Sequence, residues 1–435
     1  MSLDDNRSNE SGLMFDIDLR KSTLKKVAWR LIPFICLLYL MNIIDRANVG
    51  FARLQMQDDL RLSEDTFNLG YGMFYVGYLL FEVPSNLLMK RVGARLWIAR
   101  IMISWGLISS LNMFAWDQWS FYGLRICLGI AEAGFFPGII LYLSYWFPER
   151  ERAKMTAFFM MAIGLAFVFG NPLSGFIMQY LDSYAGLHGW QWLFLLEGIP
   201  SVILGISVFY YLTDYPRDAS WLSPEQRGWL VSEMEKEEQQ RKQRFNADRL
   251  SAVLQWRVWL LIAIYSTLAV GTNASGAYFP KLIKQQFDYL DTFQIGLLSA
   301  LPHICAIVGM IVFSISSDRM NERRGHLIVA ALLAVVGWSL AAANFSPVIA
   351  LVGLCIAQTG MMSMIPVFWT LPTAFLTGAA LAGGIAMINS VANIGGIFAA
   401  TILGTYGLWS MAVIHFVGVV LLITVQENSA KERTS

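Results

Sequence analysis

Charge is what this sequence has least of. Only 14% of its 435 residues are Asp, Glu, Lys or Arg, against roughly 25% in a soluble domain. Hydrophobic residues make up 56% and mean hydropathy is +0.51, more apolar surface than one water-soluble core can hold. A net charge of +1 offers no basic field to a nucleic acid, and none is expected as a partner. Cysteine is also scarce. Cys36, Cys127, Cys305 and Cys355 lie in apolar runs without C-x-x-C spacing, which excludes a disulfide framework and a cysteine metal site. No nucleophile–base set, metal-ligand spacing or phosphate loop is present, so neither an enzyme nor a cofactor is expected. Nor does the polar start, residues 1–26, contain a short apolar leader with a small-residue cleavage site. The first apolar run is long enough to span a bilayer and reads as a retained helix.

What is present is a series of apolar runs of about 18–30 residues, each able to cross ~30 Å of hydrocarbon as a helix. They predict spans near 27–52, 67–89, 95–115, 119–141, 154–178 and 189–212, then near 257–279, 293–315, 326–343, 346–366, 374–403 and 405–425. The expected class is an all-α membrane protein of twelve transmembrane helices in two six-helix bundles with pseudo-two-fold symmetry. A charge-dense stretch within 213–256 separates bundles at 27–212 and 257–425, and 426–435 forms a second tail. Lys90, Arg91 and Arg95, then Arg150, Arg152 and Lys154, then Arg319, Arg323 and Arg324 fall in loops on one side, while the loops near 116–119, 179–188 and 344–346 hold no Lys or Arg. That bias predicts both termini and the linker in the cytoplasm, in an inner membrane. Arg53, Arg61, Lys281 and Lys284 break the rule, with acids close by in sequence. The basic stretches after the second and eighth spans, Lys90–Arg95 and Ser317–Gly325, form a weak repeat. A repeated six-helix unit suggests a transporter whose substrate binds midway across the membrane.

Ionisable side chains inside the spans carry the functional signal. An ionised group at mid-bilayer costs ~2.5–3.5 kcal/mol on insertion scales, so such groups mark pathways or relays. Asp45 and Arg46 are adjacent in the first span, pointing about 100° apart. Arg46 is expected to face the central cavity and Asp45 the fourth span. Arg125 and Glu132 are seven residues apart, two helical turns, and share one face of the fourth span. Glu82, Glu197 and Arg100 read as structural pairs or end anchors, and His303 as a hydrogen-bonded packing residue. Tyr71, Tyr75 and Tyr78 form one face of the second span, with Tyr78 near its middle. The second half has no acid or strong base in its last three spans. It offers Trp369, Asn389 and Asn393 instead.

The chain resembles the anion:cation symporter branch of the major facilitator superfamily. The resemblance rests on Asp45-Arg46-Ala47-Asn48-Val49-Gly50-Phe51-Ala52, Pro84-Ser85-Asn86-Leu87-Leu88, Arg125 to Pro137, Trp146-Phe147-Pro148-Glu149-Arg150, Trp190-Gln191-Trp192-Leu193-Phe194, Glu197-Gly198-Ile199-Pro200 and Ile388-Asn389-Ser390. Members carry tartrate, phthalate, hydroxyphenylacetate and aldonic acids. The resemblance implies that Arg46 and Arg125 bind a substrate carboxylate. Asp45 and Glu132 would exchange protons, while Tyr78, Trp369, Asn389 and Asn393 line the pocket. Arg91, Arg95, Asp318 and Arg319 would form gating loops. Lys90 stands where the family places an aspartate, the connection at 401–410 is short, and Pro366 and Phe368 replace hydroxyls of galactonate carriers. The pocket is therefore expected to suit a less hydroxylated or partly aromatic acid, with a simple tartrate-like or deoxy-sugar acid as the alternative. The function expected is proton-coupled uptake of a small organic carboxylate by a monomer. The alternatives are sodium coupling, efflux, or a membrane receptor that binds without transport.

Overall fold

A computed structural model describes residues 3–245, 255–375 and 378–425 of the chain. The expected tail 426–435 lies outside the described residues. Every regular element among them is helical. Ten stretches are long and apolar enough to cross a membrane. They are α1 (Leu3–Asp59), α3 (Ala94–Leu111), the α4–α5 pair (Gln118–Glu132 and Phe135–Trp146), α6 (Glu149–Tyr180), α7 (Gly189–Tyr211), α9 (Trp256–Gln286), α10 (Thr292–Met320), α11 (Arg324–Ala343), α12 (Pro347–Phe368) and α14 (Gly378–Tyr406). Two more helices pack beside them and complete twelve spans: α2 (Glu64–Val92), diluted by Gly, Tyr and Glu, and α15 (Leu408–Thr424), short but apolar. The linker carries α8 (Pro224–Phe245), and α13 (Thr370–Phe375) is a single short turn after α12. α1 continues through the polar start in one piece, with Thr23 and Val27 fully buried.

Helix packing repeats between the halves. α2 packs on α4, α3 on α7, and α1 on α6 and α7. In the second half α10 packs on α12, α11 on α15, and α9 on α14 and α15. Each pair in the first list maps onto one in the second when every span is advanced by six. The seams between halves obey the same rule: α2–α14 maps onto α10–α6, and α1–α9 onto itself. This is the predicted pseudo-two-fold arrangement. Outward-facing Leu80, Ile203, Val308, Val413 and Ile423 are exposed. Such an apolar exterior suits lipid and would aggregate in water.

Proline lies inside several spans, at Pro33, Pro84, Pro172, Pro200, Pro280, Pro302 and Pro366. Neighbouring helices and side chains tolerate the lost backbone bond in such a setting. The fourth span breaks completely. Gly134 takes φ +89°, and a Cβ there would stand 2.3 Å from Ser85 Oγ. α4 therefore ends at Glu132 and α5 restarts at Phe135. Gly129, one turn before the break, lets α2 approach until a Cβ would meet Phe74 O at 2.0 Å.

Candidate functional site

Three helices of the first half converge on one ion pair. Arg46 on α1 donates through Nε to Glu132 Oε1, at the last residue of α4. Glu132 is 1% exposed, whereas the Arg46 side chain keeps 28% of its surface open. The Arg46 guanidinium lies over the rings of Phe74 at 5.2 Å and Tyr78 at 4.9 Å, both on α2. Tyr78 thus lies against the arginine. Arg125, two turns before Glu132, is buried against Phe74 at 5.1 Å and Tyr71 at 5.7 Å. Its Nε and Nη1 have no hydrogen-bond partner. The site holds one arginine engaged by an acid and a second with donors to spare.

Asp45 does not face α4 as expected. Its Oδ2 accepts from Trp105 Nε1 at 2.6 Å and Ser201 Oγ at 2.8 Å, and its Oδ1 accepts from Ser109 Oγ at 2.9 Å. These donors lie on α3 and α7. The two side chains point to different helices, and it is Arg46, not Asp45, that meets α4. Sequence spacing fixes the angle between two side chains and leaves the rotation of their helix free. Glu197 lies nearby on α7 and accepts from Ser174 Oγ at 2.7 Å, the structural contact expected of it. Glu82 comes within 3.4 Å of Ser390 Oγ on α14, a tie across the halves.

Several aromatic and amide side chains of the second half are candidates as well. Trp369 caps α12, its ring 5.0 Å from Tyr265 on α9, and its Nε1 has no hydrogen-bond partner. Phe368 stacks on Tyr265 at 4.9 Å. Tyr39 neighbours both Tyr265 and the Arg46–Glu132 pair, and stacks on Phe159 at 4.3 Å. Asn389 and Asn393 are half-buried on α14, and their side chains make no hydrogen bond among the described residues. Sequence reasoning missed Tyr39, Tyr265 and Asn273. The Asn273 carboxamide accepts from Tyr75, and its backbone carbonyl accepts from Tyr71 at 3.2 Å. The signal available for Asn273 was its setting, a short polar run, Gly271-Thr272-Asn273-Ala274-Ser275-Gly276, in the middle of a span. His303 is a packing residue, stacked 4.1 Å over Phe167 with Nδ1 3.2 Å from Gln358 Nε2.

The halves are tied at the end where α1 stops and α2 starts, termed the Asp59 end. Lys281 Nζ on α9 meets Glu64 Oε1 at 2.7 Å, and Tyr278 Oη donates to Asn68 Oδ1 at 2.8 Å. Arg53 reaches Asn68 at 3.1 Å and Glu64 at 3.3 Å, with its guanidinium 4.4 Å over the Tyr278 ring. Asn171 Nδ2 donates to Ser299 O at 2.9 Å, joining α6 to α10. Arg53 and Lys281 are two of the exceptions to the basic-loop pattern, and Glu64 is the acid they share. The expected gating loops at the other end, the linker end, are not brought together. Arg95 pairs with Asp214 at the start of the linker at 3.8 Å and Asp318 with Arg323 in its own loop at 2.5 Å, while Arg91 and Arg319 are exposed.

Residues 35–400 match the family model described as Major Facilitator Superfamily. A protein named for tartrate transport from Agrobacterium vitis is 46% identical over 89% of this chain and 88% of its own length. A quinolone resistance transporter from Acinetobacter baumannii is 39% identical over 96% of this chain and 98% of its own. Among solved structures, the inward-open xylose transporter XylE of Escherichia coli superposes with a TM-score of 0.74 at 17% identity. It covers 93% of this chain and 98% of that one. The chain therefore belongs to the major facilitator superfamily of multi-pass membrane transporters, which are not enzymes.

Proposed function

We propose that the protein takes up a small organic carboxylate together with protons, by alternating access across the inner membrane. The observation that carries this reading is the Arg46–Glu132 pair, a buried acid against a partly open arginine, both well inside membrane-spanning stretches. An arginine so placed is a natural seat for a carboxylate, because its planar fork binds both oxygens. While Glu132 is ionised it occupies that arginine. A proton added to Glu132 neutralises it and frees the Arg46 donor for the substrate anion. Arg125, with two unpartnered donors, stands ready for a second acceptor on the same substrate. Asp45 is the second proton site, held by Trp105, Ser109 and Ser201 rather than by a cation. A loaded and neutralised centre crosses more easily than one with an unpaired buried charge. Release reverses these steps where the pH is higher.

The relative named for tartrate supports a carboxylate substrate. Tyr265 and Trp369, both half-buried and backed by the buried Phe368, offer an aromatic surface that also suits a partly aromatic acid. The basic loops support placing the linker end in the cytoplasm and the Asp59 end outside. The ties at the Asp59 end then correspond to an inward-facing state. Export is the second reading, favoured by the relative named for quinolone resistance.

Uptake into proteoliposomes tests the proposal. It should follow the pH gradient, collapse with a protonophore and ignore sodium. Glu132→Gln should keep substrate counterflow while losing net uptake. Equal uptake with no proton gradient would overturn the proposal, and substrate loss from preloaded vesicles driven by inward proton flow would favour export.

A further inference from the structure

A groove of about 530 Å³ opens on the side of the protein at the linker end, between residues 20–29 of α1 and the start of α6, away from the Arg46–Glu132 pair. Two helical stripes form it. On α1, Lys21, Leu24, Lys25, Ala28 and Trp29 recur at three- and four-residue spacing, so they lie on one face. On α6, Glu151, Lys154, Met155 and Phe158 face them in the same way. The outer part of the groove is basic, with Arg20, Lys21, Lys25 and Lys154 against the single acid Glu151. None of these four cations has a carboxylate within ion-pair distance among the described residues. Farther along the helices the wall turns apolar, and Trp29 is 72% exposed and Phe158 45%. The transition falls where α1 passes from its polar start into its apolar span.

Charge above, an exposed tryptophan at the border and hydrocarbon below is the order of a bilayer leaflet. Soluble anions would need only the upper part. The exposed Trp29 and Phe158 rings would be left without an occupant by a small ion, and are matched by an acyl chain. We infer that this groove binds one anionic phospholipid, its phosphate held by Lys21, Lys25 and Lys154 and an acyl chain laid along Trp29 and Phe158. Such a lipid would bridge α1, which carries Asp45 and Arg46, to α6, which packs against the second half.

Native mass spectrometry and thermal shift on the full chain in detergent test this. The probes are phosphatidylglycerol, phosphatidylcholine and inorganic phosphate. Phosphatidylglycerol should bind at one molecule per chain and raise Tm above the phosphatidylcholine value, with phosphate giving no comparable shift. Lys21→Gln/Lys25→Gln/Lys154→Gln changes three exposed side chains and should weaken phosphatidylglycerol binding at least about ten-fold. Trp29→Ala should weaken both lipids and leave any phosphate response unchanged. Equal phosphatidylglycerol binding by wild type and the triple variant would overturn the assignment. So would a phosphate shift as large as the lipid's, which would make the groove a site for free anions.

Discussion

Cutting one tie at the Asp59 end should shift the balance between the two access states by a calculable amount. Lys281→Met keeps the length and apolar stem of the side chain and removes its charge. Glu64 is not orphaned, because Arg53 remains 3.3 Å away. The Glu64 side chain is 43% exposed and that of Lys281 19%, so the pair ranks with surface ion pairs. Such pairs are worth ~0.2–1 kcal/mol, and 1.4 kcal/mol is about a factor of ten. The population open at the Asp59 end should therefore rise roughly 1.4- to 5-fold. Tyr278→Phe removes the 2.8 Å bond to Asn68 and the 3.1 Å bond to Glu64, and should add a comparable shift. The two effects should not add fully, since both residues share Glu64. Spin labels at the exposed positions Asp65 and Gln285, on α2 and α9, would report the separation by pulsed dipolar spectroscopy. A longer-distance population should grow in each variant. An unchanged distance distribution in both would refute the idea that these ties hold this end shut.

Three further outcomes follow from the geometry. Arg46→Lys keeps the charge but loses the planar fork, and should reduce carboxylate uptake at least ten-fold while the protein still folds, as read by uptake beside thermal stability. Gly134→Ala forces a side chain into φ +89° and towards Ser85, and should lower stability by about 1–3 kcal/mol, seen as a lower Tm. Glu322, in the loop between α10 and α11, is part-buried, which raises its pKa. The Gly325 and His326 backbone N–H groups and the His326 ring outweigh this and hold its carboxyl below the usual range. A lowered folded value means stability present above the unfolded value and lost as pH falls through the folded one. The Tm gap between wild type and Glu322→Gln should thus be full at neutral pH and close on strong acidification.

Much of this architecture is legible in the residues themselves. Apolar length predicts the spans, and mid-span charge singles out Arg46, Glu132 and Arg125, which the structure gathers with Tyr78. Contacts that depend on helix rotation and on the opposite half are not legible. Asp45 turns to α3 and α7 because Trp105, Ser109 and Ser201 wait there, and nothing in the spacing of Asp45 and Arg46 distinguishes that rotation from its opposite. Tyr265 and Asn273 sit among many apolar and small residues, and only the seam between halves gives them a role. Arg53 and Lys281 looked like exceptions to a loop rule, because their partners Asn68 and Glu64 are close in space and carried by another helix. The break in the fourth span was hidden because Gly134 reads equally well as a small residue that lets helices approach.

The central claim is that a proton on Glu132 and a carboxylate on Arg46 travel as one cargo. The most direct measurement follows proton entry with a pH-sensitive dye sealed inside proteoliposomes while tartrate or an aromatic carboxylate is added outside. Substrate should trigger acidification of the lumen in wild type, and Glu132→Gln should abolish it. Substrate entry at the wild-type rate with no accompanying acidification would contradict the claim.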